Sequence, residues 1–152
     1  MKIAQVAPLH ESVPPKLYGG TERIVAFLCD ALVDLGHEVT LFACADAATK
    51  ATLVATRHRA LRLDPDPLHW ALPAHVLQLA EVRARVDDFD LIHFHTDPIY
   101  FPVFGDHASR CLTTLHGRQD FKDLVPLYKH WSAYPLVCIS DSQSLPINFV
   151  PD

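Results

Sequence analysis

The feature that most constrains the fold is an apolar strand pattern followed by a glycine pair and a helix pattern. Residues 2–7 are apolar enough to form a buried strand. After a long loop, Gly19 and Gly20 come directly before a predicted helix over 21–35, and a second apolar strand follows at 39–44. A strand, a helix and another strand in this order indicate the βαβ unit of a parallel sheet.

The glycine pair has two interpretations. Glycines allow positive φ and leave no side chains over a turn. The first amides of a helix point outward without internal partners and carry the positive end of the helix dipole, which suits a phosphate or another anion. A glycine-lined loop that only turns a corner is the alternative, and for an isolated Gly-Gly pair it is the better hypothesis.

Periodicity extends this reading along the chain. On the first helix, the apolar residues at helical spacing predict the buried face: Ile24, Phe27, Leu28, Ala31, Leu32 and Leu35. Further strands are predicted at 52–56, 60–63, 91–97, 111–117 and 135–140, and helices at 75–86, 98–104 and 120–131. Pro126 is expected to distort or divide the last of these helices. The predicted fold class is therefore α/β, a Rossmann-like three-layer sandwich with a mainly parallel sheet, as one domain over 1–152.

Polar residues stand where the predicted strands end. Because ligands of such sheets bind outside the carboxyl ends of the strands, these residues are expected to form one rim. They are His10 with Gly19-Gly20, then His95-Thr96-Asp97, His116-Gly117-Arg118 and Ser140-Asp141-Ser142.

The histidines of this rim could be metal ligands, substrate contacts or core residues. His93 and His95 share one face of their strand, and with His116 they could contribute to a zinc site, which needs three or four ligands. Nothing in the sequence sets that geometry, so no metal and no other cofactor is predicted. We interpret His93 as a hydrogen-bonded core residue, and expect His95, His116 and Asp97 to meet substrate.

Two other rim residues also have ordinary explanations. Arg118 is either an anion clamp or a solvated arginine. Ser140 precedes Asp141 and is better read as a helix cap than as a nucleophile, because no G-x-S-x-G elbow surrounds it.

Composition limits the class of partner and the compartment. The net charge is −5 and no Lys/Arg cluster occurs, which argues against a nucleic-acid partner. The four cysteines lie in apolar patterns without C-x-x-C spacing, as expected of reduced thiols. The sequence shows neither a signal-peptide pattern nor an apolar run of membrane-spanning length. We expect a cytoplasmic location.

Five segments in order resemble the N-terminal half of GT-B glycosyltransferases, most closely the retaining group called family 4. They are KIAQVAP, YGGTERIVAFLCDALVDLGHEVTLFA, DFDLIHFHTD, TTLHGR and LVCISDSQ. The resemblance implies two Rossmann-like domains facing each other across a cleft. The first domain mainly binds the acceptor, and the second binds a nucleotide-sugar donor.

The resemblance also implies roles for particular residues. Amides of the glycine pair would approach the donor diphosphate, His116 would lie against the donor sugar, and His95 and Asp97 would face the acceptor. His116 and Asp97 are the predicted catalytic residues. The predicted binding residues are Gly19, Gly20, Thr21, His95, Gly117 and Arg118.

The same resemblance sets the expected partners. They are a nucleotide-sugar donor, a small-molecule, lipid or glycan acceptor, and a donor-binding C-terminal domain that we expect to lie outside this sequence. Without that domain the chain is expected to be inactive. A non-catalytic binding or assembly module, including a homodimer, is the alternative. A dinucleotide enzyme or methyltransferase is disfavoured, because a G-x-G-x-x-G turn does not directly follow the first strand.

Overall fold

The computed structural model describes residues 1–147 and contains a six-stranded sheet in which all paired strands are parallel. Residues 148–152, the end of the predicted single domain, lie outside the described residues. The strands are β1 (Lys2–Val6), β2 (Glu38–Cys44), β3 (Thr52–Arg57), β4 (Leu91–Phe94), β5 (Cys111–Leu115) and β6 (Leu136–Cys138). The predicted α/β fold with a parallel sheet is confirmed.

Helices connect the strands and cover the sheet. The α-helices are α1 (Gly20–Asp34), α2 (Leu72–Ala84), α3 (Leu124–His130) and α4 (Asp141–Ser144). Short 3-10 turns occupy Leu61–Leu63, Val86–Asp88, Asp97–Tyr100, Gly105–Arg110 and Leu145–Ile147. None of the helices in residues 1–147 has the length and apolar character needed to cross a membrane.

The strand order β3-β2-β1-β4-β5-β6 places a topological switch point between β1 and β4. The chain builds the sheet outward from β1 through β2 to β3, then returns to the other side of β1 and continues outward through β5 to β6. The loops that leave β1 and β4 therefore diverge to opposite faces and leave a crevice at their carboxyl ends.

The predicted buried face of α1 is wrong. The helix buries Glu22, Val25, Ala26 and Cys29 instead. On the face predicted to be buried, Phe27 is 64% exposed. The small side chains of Ala26 and Cys29 let the helix approach β2 closely, where they pack in one cluster with Val39, Leu41 and Ala43. Apolar spacing alone could not choose between the two faces.

Two further element predictions are also wrong. In the stretch 60–63, Leu61–Leu63 form a 3-10 turn rather than a strand, and Leu61 packs into a small cluster with Leu9. Helix α3 begins at Leu124, not at residue 120, so Pro126 lies in its first turn and neither distorts nor divides it.

The four cysteines agree with the prediction. Cys29, Cys44, Cys111 and Cys138 are all free thiols, and the first three are buried. Burial raises the pKa of the Cys29 thiol to about 12, so this thiol stays protonated at neutral pH.

Candidate functional site

An open cleft of about 740 Å³ lies at the carboxyl ends of the strands, over the switch point between β1 and β4. The loops after β1, β4, β5 and β6 all contribute to it. Of the predicted site residues, the cleft brings together Gly19, Gly20, Thr21, His95, Asp97, His116 and Gly117. Arg118 lies in an adjoining cleft of about 390 Å³, which shares His116 and Gly117 with the first.

One side of the cleft, which we call the glycine wall, consists of Gly19, Gly20 and Thr21 at the start of α1. Gly19 does not use the left-handed conformation that glycine allows, since its φ of 161° is extended; among the described glycines, Gly36, beyond the end of α1, adopts that conformation with φ of 85°. Gly19 is required for space. A Cβ there would lie 2.8 Å from Cβ of Pro15 and 2.9 Å from Oε2 of Glu22.

Gly20 differs from its neighbour because, apart from the adjacent residues and the backbone of its own helix, no atom lies within 4 Å of the position that its Cβ would occupy. It faces the open cleft as the first residue of α1. The first intrahelical hydrogen bond runs from Arg23 N to Gly19 O at 3.2 Å. The N–H groups of Gly20 and Thr21 precede that bond, so they are available to an anion in the cleft.

Glu22 anchors the glycine wall from below. Its side chain is buried beside Gly19. Burial raises the pKa of this carboxyl, while hydrogen bonds to the backbone of Glu22 and Glu11 partly oppose the rise. Because Glu22 links the start of α1 to the loop after β1, it holds both ends of the turn together.

The opposite side, which we call the histidine wall, consists of His95 at the end of β4 and His116 at the end of β5. Nδ1 of His95 lies 2.9 Å from Nε2 of His116, and Nε2 of His95 lies 2.9 Å from Oε1 of Gln5. His95 is only 3% exposed, whereas His116 reaches the cleft.

His93 lies behind this wall, and its interpretation as a hydrogen-bonded core residue agrees with the structure. Its ring contacts Gln5 through Nδ1 at 3.4 Å and Thr114 through Nε2 at 2.8 Å. Burial, with a smaller contribution from His116, lowers the pKa of His93 to about 4. Burial also lowers the pKa of His95 and that of His116, so the three rings are neutral at pH 7.

Asp97 projects from the turn after β4 with φ of 55°, a backbone conformation that residues other than glycine rarely adopt. Its carboxylate is at the surface of the cleft, but the surrounding protein limits its hydration and raises its pKa. Such backbone strain is concentrated at functional sites, which supports a role for Asp97.

Two further rim residues have ordinary structural explanations. The Arg118 guanidinium is exposed and pairs with Asp120, at 3.0 Å from Nε and 2.6 Å from Nη2. Ser140 caps α4 by accepting a hydrogen bond from Gln143 N at 3.2 Å, as predicted.

Sequence reasoning missed several residues that build the cleft. Gln5 lies in the middle of an apolar strand pattern, and Glu22 is a charged residue that the first turn of α1 buries. His75 accepts a hydrogen bond from Leu9 N at 3.3 Å, and Arg62 contacts Glu11 at 3.4 Å. A polar residue inside an otherwise apolar strand was the signal for Gln5, because a buried amide must find partners.

In the part of the chain that the structure describes, no group of three or more His, Cys, Asp or Glu side chains is arranged to hold a metal ion. The histidine rings instead bond to one another, to Gln5 and to Thr114.

Taken together, the parallel sheet, the switch-point cleft and the open helix N-terminus define a Rossmann-like domain of the GT-B kind. A solved structure agrees: AviGT4, a glycosyltransferase involved in avilamycin A biosynthesis, is similar to this chain with a TM-score of 0.51 and 25% sequence identity. The similarity covers 77% of this chain but only 32% of that one. No curated protein sequence matches the chain.

The family is shown by sequence as well. The model of Glycosyltransferase Family 4 matches residues 18–138, which is most of the chain. The chain therefore belongs to glycosyltransferase family 4, and the resemblance stated from its motifs is confirmed.

Proposed function

We propose that this chain is the acceptor-side half of a glycosyltransferase that moves a sugar, with retention, from a nucleotide-sugar donor to an acceptor. The observation that carries the proposal is the strand-end cleft itself, which sets open helix amides opposite a neutral histidine pair. Family membership and the likeness to AviGT4 support sugar transfer in general.

The glycine wall is suited to the donor diphosphate. The free N–H groups of Gly20 and Thr21 stand at the positive end of the α1 dipole. As the glycosidic bond to phosphate breaks, negative charge grows on the leaving diphosphate, and oriented amides stabilise that charge without reorganising. Because Gly20 has no side chain, phosphate oxygens can reach these amides.

The histidine wall is suited to the sugar. His116 lies across the cleft from the glycine wall and offers a neutral ring to a hydroxyl-rich ligand. His95 supports it from behind. Asp97 stands beside them at the surface, where we place the acceptor and a contribution to catalysis. Gly117 continues this wall, and the guanidinium of Arg118 pairs with Asp120 through Nε and Nη2.

The chain spans about a third of the AviGT4 structure it matches, so the activity of a whole enzyme is proposed rather than assigned. We propose that a second Rossmann-like domain completes the donor site. On this basis the 152-residue chain alone is expected to transfer no sugar. A metal-free mechanism and a cytoplasmic location also stay predictions, and chelator treatment of the intact enzyme tests the former.

The experiment compares two proteins, the 152-residue chain and the same chain joined to its donor-binding domain. Both are incubated with a panel of nucleoside diphosphate sugars, and the anomeric configuration of the product is determined by NMR. We expect transfer with retention only from the joined protein. Transfer by the chain alone contradicts the predicted division of labour, and inversion contradicts the mechanism.

A binding or assembly module is the second candidate, and one observation favours it. The outer face of α1 exposes an apolar stripe: Ile24 is 50% exposed, Phe27 64% and Leu35 73%. Exposed apolar stripes of this kind occur at interfaces between chains. Size-exclusion chromatography with light scattering tests the predicted homodimer, and a monomer at high concentration argues against it.

A further inference from the structure

A continuous chain of hydrogen bonds runs from inside the sheet to the cleft. Gln5, on the central strand β1, is fully buried and lies between His93 of β4 and His95, which directly follows β4. Its Oε1 lies 2.9 Å from Nε2 of His95, and its Nε2 lies 3.4 Å from Nδ1 of His93. His95 then contacts His116, at 2.9 Å.

The amide of Gln5 determines which atom donates in each hydrogen bond of this series. A carbonyl oxygen can only accept a hydrogen bond, so Nε2 of His95 must carry a proton and donate it to Gln5. A neutral imidazole has one protonated nitrogen, which leaves Nδ1 of His95 bare. The facing Nε2 of His116 must therefore carry the proton of that hydrogen bond.

We propose that Gln5 is a positioning residue that acts through His95 to hold His116 in its neutral, Nε2-protonated form, so that the bare Nδ1 of His116 accepts a hydrogen bond from a substrate hydroxyl. The sugar hydroxyl as the substrate group rests on the proposed function, whereas the proton arrangement does not. His116 is then an acceptor for hydroxyls and not a cation for phosphate, which is left to the glycine wall.

The surroundings keep the three rings neutral. Burial is the main cause of the lowered pKa of each histidine. His116 further lowers the pKa of His93, and His93 and His116 further lower that of His95. Asp97 and Glu22 are acidic residues that line the same cleft. The hydrogen bonds of both ring nitrogens of His95 are nevertheless made with Gln5 and His116.

The amide nitrogen of Gln5 determines the proton position on His93 in the same way. This nitrogen donates to Nδ1 of His93, so Nε2 of His93 carries a proton and donates to Oγ1 of Thr114, 2.8 Å away. Rotating the Gln5 amide by half a turn would move the proton of each of the three histidines to its other ring nitrogen. Nδ1 of His116 would then carry a proton. These two arrangements are distinguishable by measurement.

The test is histidine NMR on the 152-residue chain labelled with ¹⁵N, which requires no activity and no donor. At pH 7 we expect long-range ¹H–¹⁵N spectra to show bare Nδ1 and protonated Nε2 in His93, His95 and His116. A ¹⁵N–¹⁵N coupling should also cross the hydrogen bond from Nε2 of His116 to Nδ1 of His95. The exposed His69 and His130 serve as references without such coupling. A proton on Nδ1 of His116, or a charged His116 at pH 7, overturns the proposal.

Substitution of Gln5 separates a positioning role from a merely structural one. In Gln5→Glu the carboxylate accepts on both sides, so His93 should move its proton to Nδ1 while His95 and His116 keep theirs. In Gln5→Leu the coupling between His95 and His116 should be lost or averaged. Thr114→Val is the matched control, because it removes only the hydrogen bond between His93 and Thr114 and should leave the coupling between His95 and His116 intact.

The wild-type spectra decide the proton arrangement even where a variant fails to fold, and circular dichroism identifies such a variant. Unchanged His95 and His116 signals in a folded Gln5→Leu protein contradict the role of Gln5. Failure of the joined protein to transfer sugar leaves these spectra unaffected, so that result bears on the proposed function and not on the positioning of His116.

Discussion

The two walls of the strand-end cleft have opposite hydrogen-bonding characters. The glycine wall presents backbone N–H groups at the positive end of a helix, with open space in front of Gly20. The histidine wall presents a neutral ring whose proton is already used within the protein. One wall is therefore matched to an anion and the other to hydroxyls, and a nucleotide sugar carries both groups next to each other.

The walls also differ in what holds them. Steric fit sets the glycine wall, since Gly19 lies against Pro15 and Glu22. A buried polar network sets the histidine wall, since Gln5 lies between His93 and His95. Substitutions should therefore disturb the glycine wall by crowding it, and the histidine wall by changing which ring nitrogens carry protons.

The largest effect is expected when the glycine wall is filled. Gly20→Leu puts a side chain into the cleft where phosphate would approach, so transfer by the joined protein should fall by about 100-fold or more. The fold should be unaffected, because no atom beyond the adjacent residues and the backbone of α1 lies within 4 Å of the added Cβ. Kinetic assays measure the loss of transfer, and thermal melts show whether the fold is unchanged. Full activity in Gly20→Leu would show that the glycine pair only turns a corner.

The next effect concerns pH and His93, which lies behind the histidine wall. The pKa of His93 is lowered from 6.5 to about 4, so below pH 6.5 the unfolded chain binds a proton that the folded chain excludes. Stability from this group is therefore fully present above pH 6.5 and is lost as the pH falls towards 4. At about 1.4 kcal/mol per pKa unit, the loss is on the order of 3 kcal/mol.

Urea unfolding at several pH values measures this loss. His93→Gln, which cannot titrate, is the control, and the difference in pH slope between the two proteins isolates His93. Parallel slopes for wild type and variant mean that His93 is not held neutral by the fold.

A smaller effect is expected from crowding the other glycine. Gly19→Ala places a Cβ 2.8 Å from Cβ of Pro15, which should lower the free energy of unfolding by about 1–3 kcal/mol. Chemical denaturation of the chain gives the value. Gly20→Ala is the control, because space is open there, and the comparison separates crowding from a general cost of losing glycine. Equal losses of stability at both positions argue against crowding at Gly19.

The smallest effect is expected outside both walls. Phe27 lies on the exposed face of α1, so Phe27→Lys should change the free energy of unfolding of a monomer by less than about 0.5 kcal/mol. Sedimentation of both proteins is the accompanying measurement. A shift from dimer to monomer in Phe27→Lys supports the assembly role of this face, and unchanged sedimentation argues against it.

The sequence was sufficient for the parallel sheet and for the rim, because apolar strands ending in polar residues have few other arrangements. It was insufficient for the face of α1, where Ile24 and Phe27 have the right spacing but Ala26 and Cys29 permit closer packing. Helical spacing shows which residues share a face of the helix, but it does not show how closely that face can pack against the sheet.

The roles within the rim were harder to predict, for a different reason. Nothing in the local pattern around Gln5 shows that it contacts histidines 88 and 90 positions away. The steric need for Gly19 likewise depends on Pro15 and Glu22, whose positions only the fold defines. Long-range hydrogen bonds and close packing are properties of the tertiary structure, so sequence reasoning could place these residues near the site without giving their contacts.

The central claim is that both walls hold one nucleotide sugar, and NMR titration of the labelled 152-residue chain tests it most directly. A panel of nucleoside diphosphate sugars is added while the amides of Gly20 and Thr21 and Nδ1 of His116 are followed together. We expect at least one member of the panel to shift the signals of both walls with the same apparent affinity. If ligands shift signals elsewhere on the chain, or if none in the panel moves either wall, the claim is contradicted.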